Sequence, residues 1–185
     1  STPSNSSAAS DVYKRQIHSD RKILVDILAQ WRDKVDGIFY NGDSELNADD
    51  DIFAGVSTVI GNMDDDPDFA EARSTVIDGI TFFQTHGHLY NATAILKWAN
   101  LDSMNEAAND AHAQVVLFGH THKEGAVSYD HKLFINPGST TLPKGSRADL
   151  GGTYAVLEVT DDKYIVTFYT RQHQAVPDLT VTVNR

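Results

Sequence analysis

An α/β domain is the fold class predicted by this sequence of 185 residues, on three observations. First, Ile23, Leu24, Ile27, Leu28 and Trp31 fall on one helical stripe behind two N-cap candidates, Ser19 and Asp20. Second, short β-rich apolar runs end in Gly beside a polar or imidazole residue, the pattern of buried strands whose carboxyl ends open into loops. Third, a chain of this length can bury roughly two thirds of its unfolded surface, so a single core is enough.

The elements follow in order. Residues 1–16 begin STPSNSSAAS, and the spacing predicts a disordered or non-native tail ahead of one domain over 17–185. The segment DVYKRQIH (11–18) carries Lys14, Arg15 and Gln16, which ill suits the centre of a parallel sheet. A helix is expected over about 20–33, then strands in GIFYNGD (37–43) and VSTVIGN (56–62). STVIDGITFFQTHG (74–87) predicts a hairpin turning at Asp78-Gly79, because a two-residue turn wants residues that tolerate positive φ. Residues 91–111 lean helical with a break near 100–103, VVLFG (115–119) is a strand, and the remainder is β with turns at Asp130-His131 and Asp161-Asp162.

Composition excludes several functions. Cysteine is absent, which removes disulfides, thiolate metal sites and thiol nucleophiles and suits a reducing cytoplasm, the expected location. A formal charge of −11 argues against a sequence-independent grip on polymeric nucleic acid, which needs clustered Lys and Arg. No apolar run approaches the ~18 residues of a membrane span, so no membrane partner is expected. An acidic protein acting on phosphate would draw its cations from bound divalent metals.

The strand ends supply N and O donors: Asp43 after FYNG, Asn62 after VIG, His86 after FFQT, and His120 with His122 after LFG. In α/β sheets such ends converge on one crevice. A carboxylate, an amide oxygen and imidazoles suit manganese first, with nickel, iron, cobalt or zinc as alternatives. Two such ions can hold a hydroxide between them and clamp a phosphoryl oxygen, which leads to phosphoester hydrolysis.

GD at 42–43, GNMD at 61–64, HGH at 86–88 and GHTH at 119–122, in this order, resemble the calcineurin-like metallophosphoesterases. INPGS (135–139) is most similar to the small YfcE-type phosphodiesterases, and the resemblance spans roughly residues 17–170. It implies a four-layer αββα sandwich of two mixed β-sheets flanked by helices. It also implies two divalent metal ions and a small phosphoester substrate, with an oligomeric state left open. By motif position Asp43 would bridge the ions, His122 and His18 would serve the first, and Asn62, His86 and His120 the second. His18, Asn62 and His120 would take part in catalysis.

Two departures qualify the resemblance. The family opens with Asp-x-His, and Gln16-Ile17-His18 stands in that place, a neutral amide for a carboxylate. That substitution is the one feature favouring an alternative function, a non-catalytic interaction scaffold on the same fold. In GNMD, Met63 replaces a proton-transferring His of other relatives, leaving water, His18 or His88 to protonate the leaving group.

The remaining polar features carry structural expectations. His112, His131 and His173 sit in turn or helix-end contexts, Asp49–Asp51 mark a helix N-terminus, and Asp64–Asp66 form a solvated loop or the rim of a metal site. Asn136-Pro137-Gly138-Ser139 is a turn, and its resemblance to the family's loop beneath the metal centre implies that it supports the site from below. Lys123, Lys144 and Arg147 are the nearest cations for a substrate phosphate, and solubility explains them equally well.

Overall fold

The computed structural model describes the backbone of residues 2–7 and residues 20–185 in full. Helix α1 (Arg21–Trp31) starts where Asp20 caps it, its Oδ1 accepting from Ile23 N–H at 3.1 Å. Such a cap contributes about 1 kcal/mol. The helix buries Ile23, Leu24, Ile27 and Leu28, the stripe that its spacing predicts.

Eleven strands form two sheets among the described residues. The first contains β1 (Thr2–Ser7), β2 (Gly37–Tyr40), β3 (Val56–Thr58), β9 (Thr153–Val159), β10 (Lys163–Thr170) and β11 (Val181–Asn184), in the order β11-β10-β9-β1-β2-β3. The second contains β4 (Ala72–Ile77), β5 (Ile80–Thr85), β6 (Val115–Leu117), β7 (Gly125–Tyr129) and β8 (Lys132–Asn136), in the order β4-β5-β6-β8-β7. Both are mixed: β1-β2-β3 and β5-β6-β8 run parallel, and their other pairings are antiparallel.

The core between the sheets joins Phe39 to Phe82, stacked at 5.2 Å, with Leu117, Ile135, Leu157, Val166 and Phe168. Outside the first sheet, α1 packs Ile23 and Ile27 on Tyr154 and Val156, and Leu24 and Leu28 on Ile38 and Tyr40. Outside the second, α2 (Asp102–Asp110) packs Met104 and Ala108 on Phe83, Val116 and Phe134. The layers are therefore helix, sheet, sheet, helix, as expected. Each fully buried large aliphatic or aromatic side chain contributes about 1.5–3 kcal/mol, and these three seams hold the layers together.

Residues 2–7, assigned from sequence to a tail, pair parallel with β2 and antiparallel with β9. Two strands facing each other across a gap carry unpaired N–H and C=O groups, and any extended backbone can satisfy them. The candidate strand DVYKRQIH, with Gln16 and His18, lies outside the described residues.

The helical tendency of 91–111 is met only from residue 102. Asn91 takes a left-handed φ of 52°, and Asn100 N–H closes a loop on Ala92 O at 2.8 Å. Trp98 anchors that loop, donating to Lys123 O and packing edge-on against Phe118. These tertiary contacts outweigh local helix propensity. The predicted turn at Asp78-Gly79 is present, with φ of 48° and 76°, as is the turn at Asp130-His131.

Asp130 ties that last turn to α2. It accepts from Asn105 and Asn109 and meets Lys132 at 3.2 Å; the hydrogen bonds from Asn105 and Lys132 hold its carboxyl down at about 2. A depressed folded-state pKa contributes stability that is present above the unfolded value near 4 and is lost as pH falls through about 2. Thermal melts of wild type and Asp130→Asn should therefore differ at pH 5 and converge between pH 4 and 2.

Candidate metal centre

The carboxyl ends of β2 and β3 in one sheet meet those of β5 and β6 in the other, joined by buried polar side chains. Gln84 on β5 reaches across, its Nε2 donating to Tyr40 O, Asn41 Oδ1 and Ser57 O. Asn41 Nδ2 donates to Phe118 O at the end of β6. Both residues are fully buried, so the rims of the two sheets are fixed by hydrogen bonds that water does not compete for.

Asp43, Asn62, His86 and His120 come together on this rim. His86 Nε2 lies 3.2 Å from Asp43 Oδ2 and 2.9 Å from Asn62 Oδ1, and His120 Nδ1 lies 3.0 Å from the same Asn62 oxygen. Asp43 and His86 are wholly buried. Burial pushes the Asp43 carboxyl upward, but the His86 hydrogen bond and charge, Met63 N–H and the His122 charge outweigh it and hold it below the ordinary carboxylate range. His122 thus belongs to the same field. His18, the remaining candidate, lies outside the described residues.

Tautomers follow from the backbone. His86 Nδ1 faces Asn41 O at 2.6 Å and His122 Nδ1 faces Leu142 O at 2.9 Å. A carbonyl only accepts, so each Nδ1 carries a proton, which leaves Nε2 as the ring atom able to hold a metal. His86 turns that nitrogen toward two oxygens, Asp43 Oδ2 and Asn62 Oδ1. A cation shared by these three atoms would be held by all of them, and imidazoles pinned by a carbonyl at the opposite nitrogen are the usual metal-ligand arrangement. The residues fit a divalent ion of borderline hardness. Among the described residues no three His, Asp or Glu side chains close on one point by themselves; the Asn62 amide completes the set.

Three of the candidate ligands sit on strained backbone. Asp43, His120 and His122 have φ of 62°, 65° and 58°, a left-handed conformation that costs about 1–3 kcal/mol per non-Gly residue and persists only where surroundings impose it. Part of that imposition is legible. Asn136 Nδ2 donates to Gly119 O and Thr121 Oγ1 and so supports the His120 loop from beneath, as INPGS suggests.

Of the two readings of Asp64, a solvated loop or the rim of the site, the hydrogen bonds favour the rim: its carboxylate accepts from Asp43 N–H, Gly61 N–H, Glu45 N–H and Ser44 Oγ. Asp66 caps Ala48 N–H and Asp68 N–H. Arg147 is engaged by Asp149 and Asp178, which explains it without a substrate. His112, His131 and His173 occupy left-handed turn positions, and His173 Nδ1 pairs with Tyr154 OH. Asp50 and Asp51 open a short 3-10 turn, Asp51–Phe53, as the acidic run predicts.

His88 lies beside the ligands, its ring 5.2 Å from His86 and 6.1 Å from His120. Burial, then the charge of His86, push its pKa below the ordinary imidazole value. Sequence reasoning missed Asn41 and Gln84, whose only signal was polarity inside otherwise apolar strand segments.

Known proteins resemble the chain in sequence and in fold. Residues 9–162 match the calcineurin-like phosphoesterase superfamily domain. The chain is 30% identical over 162 residues to the probable metallophosphoesterase YsnB of Bacillus subtilis, covering 88% of this chain and 91% of that protein. A conserved uncharacterized protein of Streptococcus pneumoniae, a predicted phosphoesterase, superposes with a TM-score of 0.88 at 31% identity, covering 100% of this chain and 98% of that one. Two more distant structures share the fold: Vps29 of Entamoeba histolytica complexed with zinc (TM-score 0.70, 19% identity, 99% of each chain) and the phosphoesterase Yfce of E. coli (0.62, 18%, 98% of each). On its motifs, its architecture and these likenesses, the chain belongs to the calcineurin-like phosphoesterase superfamily.

Proposed function

We propose that the chain is a metal-dependent phosphodiesterase with a dinuclear centre. The observation that carries this reading is the convergence of His86 Nε2, Asp43 Oδ2 and Asn62 Oδ1, with His86 Nδ1 held by Asn41 O. Asp43 would be shared between the ions; Asn62, His86 and His120 would hold one, and His122 with His18 the other. Bound divalent cations would supply a water of lowered pKa and neutralise charge on the phosphoryl oxygens.

The chain's own residues orient and exclude. Asn62 and His120 stand at the open side of the cluster, the amide exposed and the ring partly so, where a phosphoester can approach. Asp43 and His86 form its dry floor. Met63 gives the adjoining loop no proton to transfer, so substrates with good leaving groups suit this site best. The substrate is a small phosphoester rather than a polyanion, in keeping with a formal charge of −11.

Purified protein stripped with chelator and reloaded with Mn²⁺ should hydrolyse bis(p-nitrophenyl) phosphate in preference to p-nitrophenyl phosphate, and chelator should stop it. Elemental analysis should find close to two transition-metal ions per chain. The scaffold reading, favoured by Gln16 in place of the family's aspartate, requires metal without turnover or no metal at all. A loaded but inert protein would decide for it.

A further inference from the structure

We infer that Asp64 is a positioning residue of the metal centre, setting the orientation of the Asp43 carboxylate through a reciprocal pair of hydrogen bonds between their two loops. This rests on the metal-centre reading above. Asp43 N–H donates to Asp64 Oδ2 at 2.8 Å, while Asp43 Oδ1 accepts from Met63 N–H, the residue beside Asp64, also at 2.8 Å. The loop after β2 and the loop after β3 thus grip one another in both directions. With Oδ1 so held, Oδ2 is the oxygen turned toward His86.

The same carboxylate shapes the backbone. Asp43 and Glu45 both have positive φ, at 62° and 55°, and their N–H groups converge on Asp64, on Oδ2 and Oδ1 respectively. Successive N–H groups in such a turn form a concavity that binds anions. Here its occupant is a side chain of the neighbouring ligand loop, which also takes Gly61 N–H at 2.7 Å and Ser44 Oγ–H at 3.2 Å. Gly61 immediately precedes the ligand Asn62, so one carboxylate sets the separation of two ligand-bearing segments.

The chemistry requires an acceptor at both oxygens. An Asn of equal shape has one acceptor and one NH₂, and whichever way it turns, the NH₂ confronts donors: Asp43 and Gly61 N–H on one side, Glu45 N–H and Ser44 Oγ–H on the other. Removing a group that orients a metal ligand typically costs 10–100-fold in metal affinity.

The test is a titration of metal-stripped full-length protein with Mn²⁺, free ion read by its electron paramagnetic resonance signal, alongside circular dichroism melts. Asp64→Asn, folded at the titration temperature, should bind Mn²⁺ about 10–100-fold more weakly than wild type. Ser44→Ala, which removes the longest of the four bonds to Asp64 together with the bond from Leu46 N–H to Ser44 Oγ, should change affinity less than about threefold. Wild-type affinity in folded Asp64→Asn, even with a lowered Tm, overturns the inference, because a merely structural residue moves the melt alone. Should Asp64→Asn not fold, Asp64→Glu carries the test: weakened Mn²⁺ binding in the folded variant supports the assignment and undiminished binding refutes it. A wild-type protein that binds no Mn²⁺ sinks the metal-centre reading and this inference with it, whereas wild-type binding matched by Asp64→Asn sinks the inference alone.

Discussion

Asp43→Asn should leave a folded protein whose Mn²⁺-dependent hydrolysis of an activated phosphodiester is slower by about 10³-fold or more. The substitution is isosteric, and Asn tolerates a left-handed backbone as readily as Asp, so the φ of 62° is no obstacle. What changes is charge at a fully buried point. In wild type the imidazoles of His86 and His122 and Met63 N–H keep the carboxyl ionised despite its burial, so the site holds a standing anion for cations to share. A neutral amide removes that anion and sets either its NH₂ or its single oxygen toward His86. Metal charge stabilisation of a phosphoryl transition state is worth several kcal/mol, and each 1.36 kcal/mol is tenfold in rate, so losing about 4 kcal/mol gives the stated factor. Turnover should be compared under saturating Mn²⁺ with Tm recorded for both proteins. Undiminished turnover would remove Asp43 from the mechanism.

How much of this centre the sequence discloses depends on whether the signal is local. Helix α1 is legible because its cap and stripe lie within a dozen residues, and the β4–β5 hairpin because Asp78-Gly79 suits its turn. The candidate ligands are legible as N and O donors at strand ends, one after another. The division of strands between two sheets is not, because β1 pairs with β9 and β6 with β8 across stretches that leave no local mark; the family resemblance supplied it. Asp64 stays divided between solvated loop and site rim in the sequence for a related reason. An acidic run looks alike whether it faces water or a ring of backbone N–H groups, and only the fold brings Asp43, Glu45 and Gly61 around it. Asn41 and Gln84 were invisible as site residues because their partners are carbonyls, which every residue has. Loop 91–101 misled in the other direction, since its composition suits a helix while Trp98 and the closure at Ala92 hold it open.

The glycines beside the ligands also divide in a way composition does not reveal, and Gly61→Ala is the second large effect expected. A Cβ at position 61 would stand 2.0 Å from Asp43 Oδ1 and 2.3 Å from Asp43 N, both impossible contacts. Asp43 cannot retreat, because its N–H is held by Asp64 and its Oδ1 by Met63 N–H, so the two ligand loops must part. Gly61 does not need positive φ, so the clash is steric and owes nothing to backbone strain. Overpacking of this kind costs about 1–3 kcal/mol of stability. A ligand displaced by about 1 Å costs on the order of 10²-fold in rate, and Mn²⁺ affinity should fall with it. Gly119, next to His120, is the matched control: a Cβ there meets only Asn41 and His86 atoms at 3.6 Å, an ordinary contact. Gly119→Ala should therefore keep Tm and turnover near wild type while Gly61→Ala loses both. Equal tolerance at the two positions would mean that the loops after β2 and β3 do not touch as closely as the geometry requires, and the orientation of the Asp43 carboxylate would need another cause.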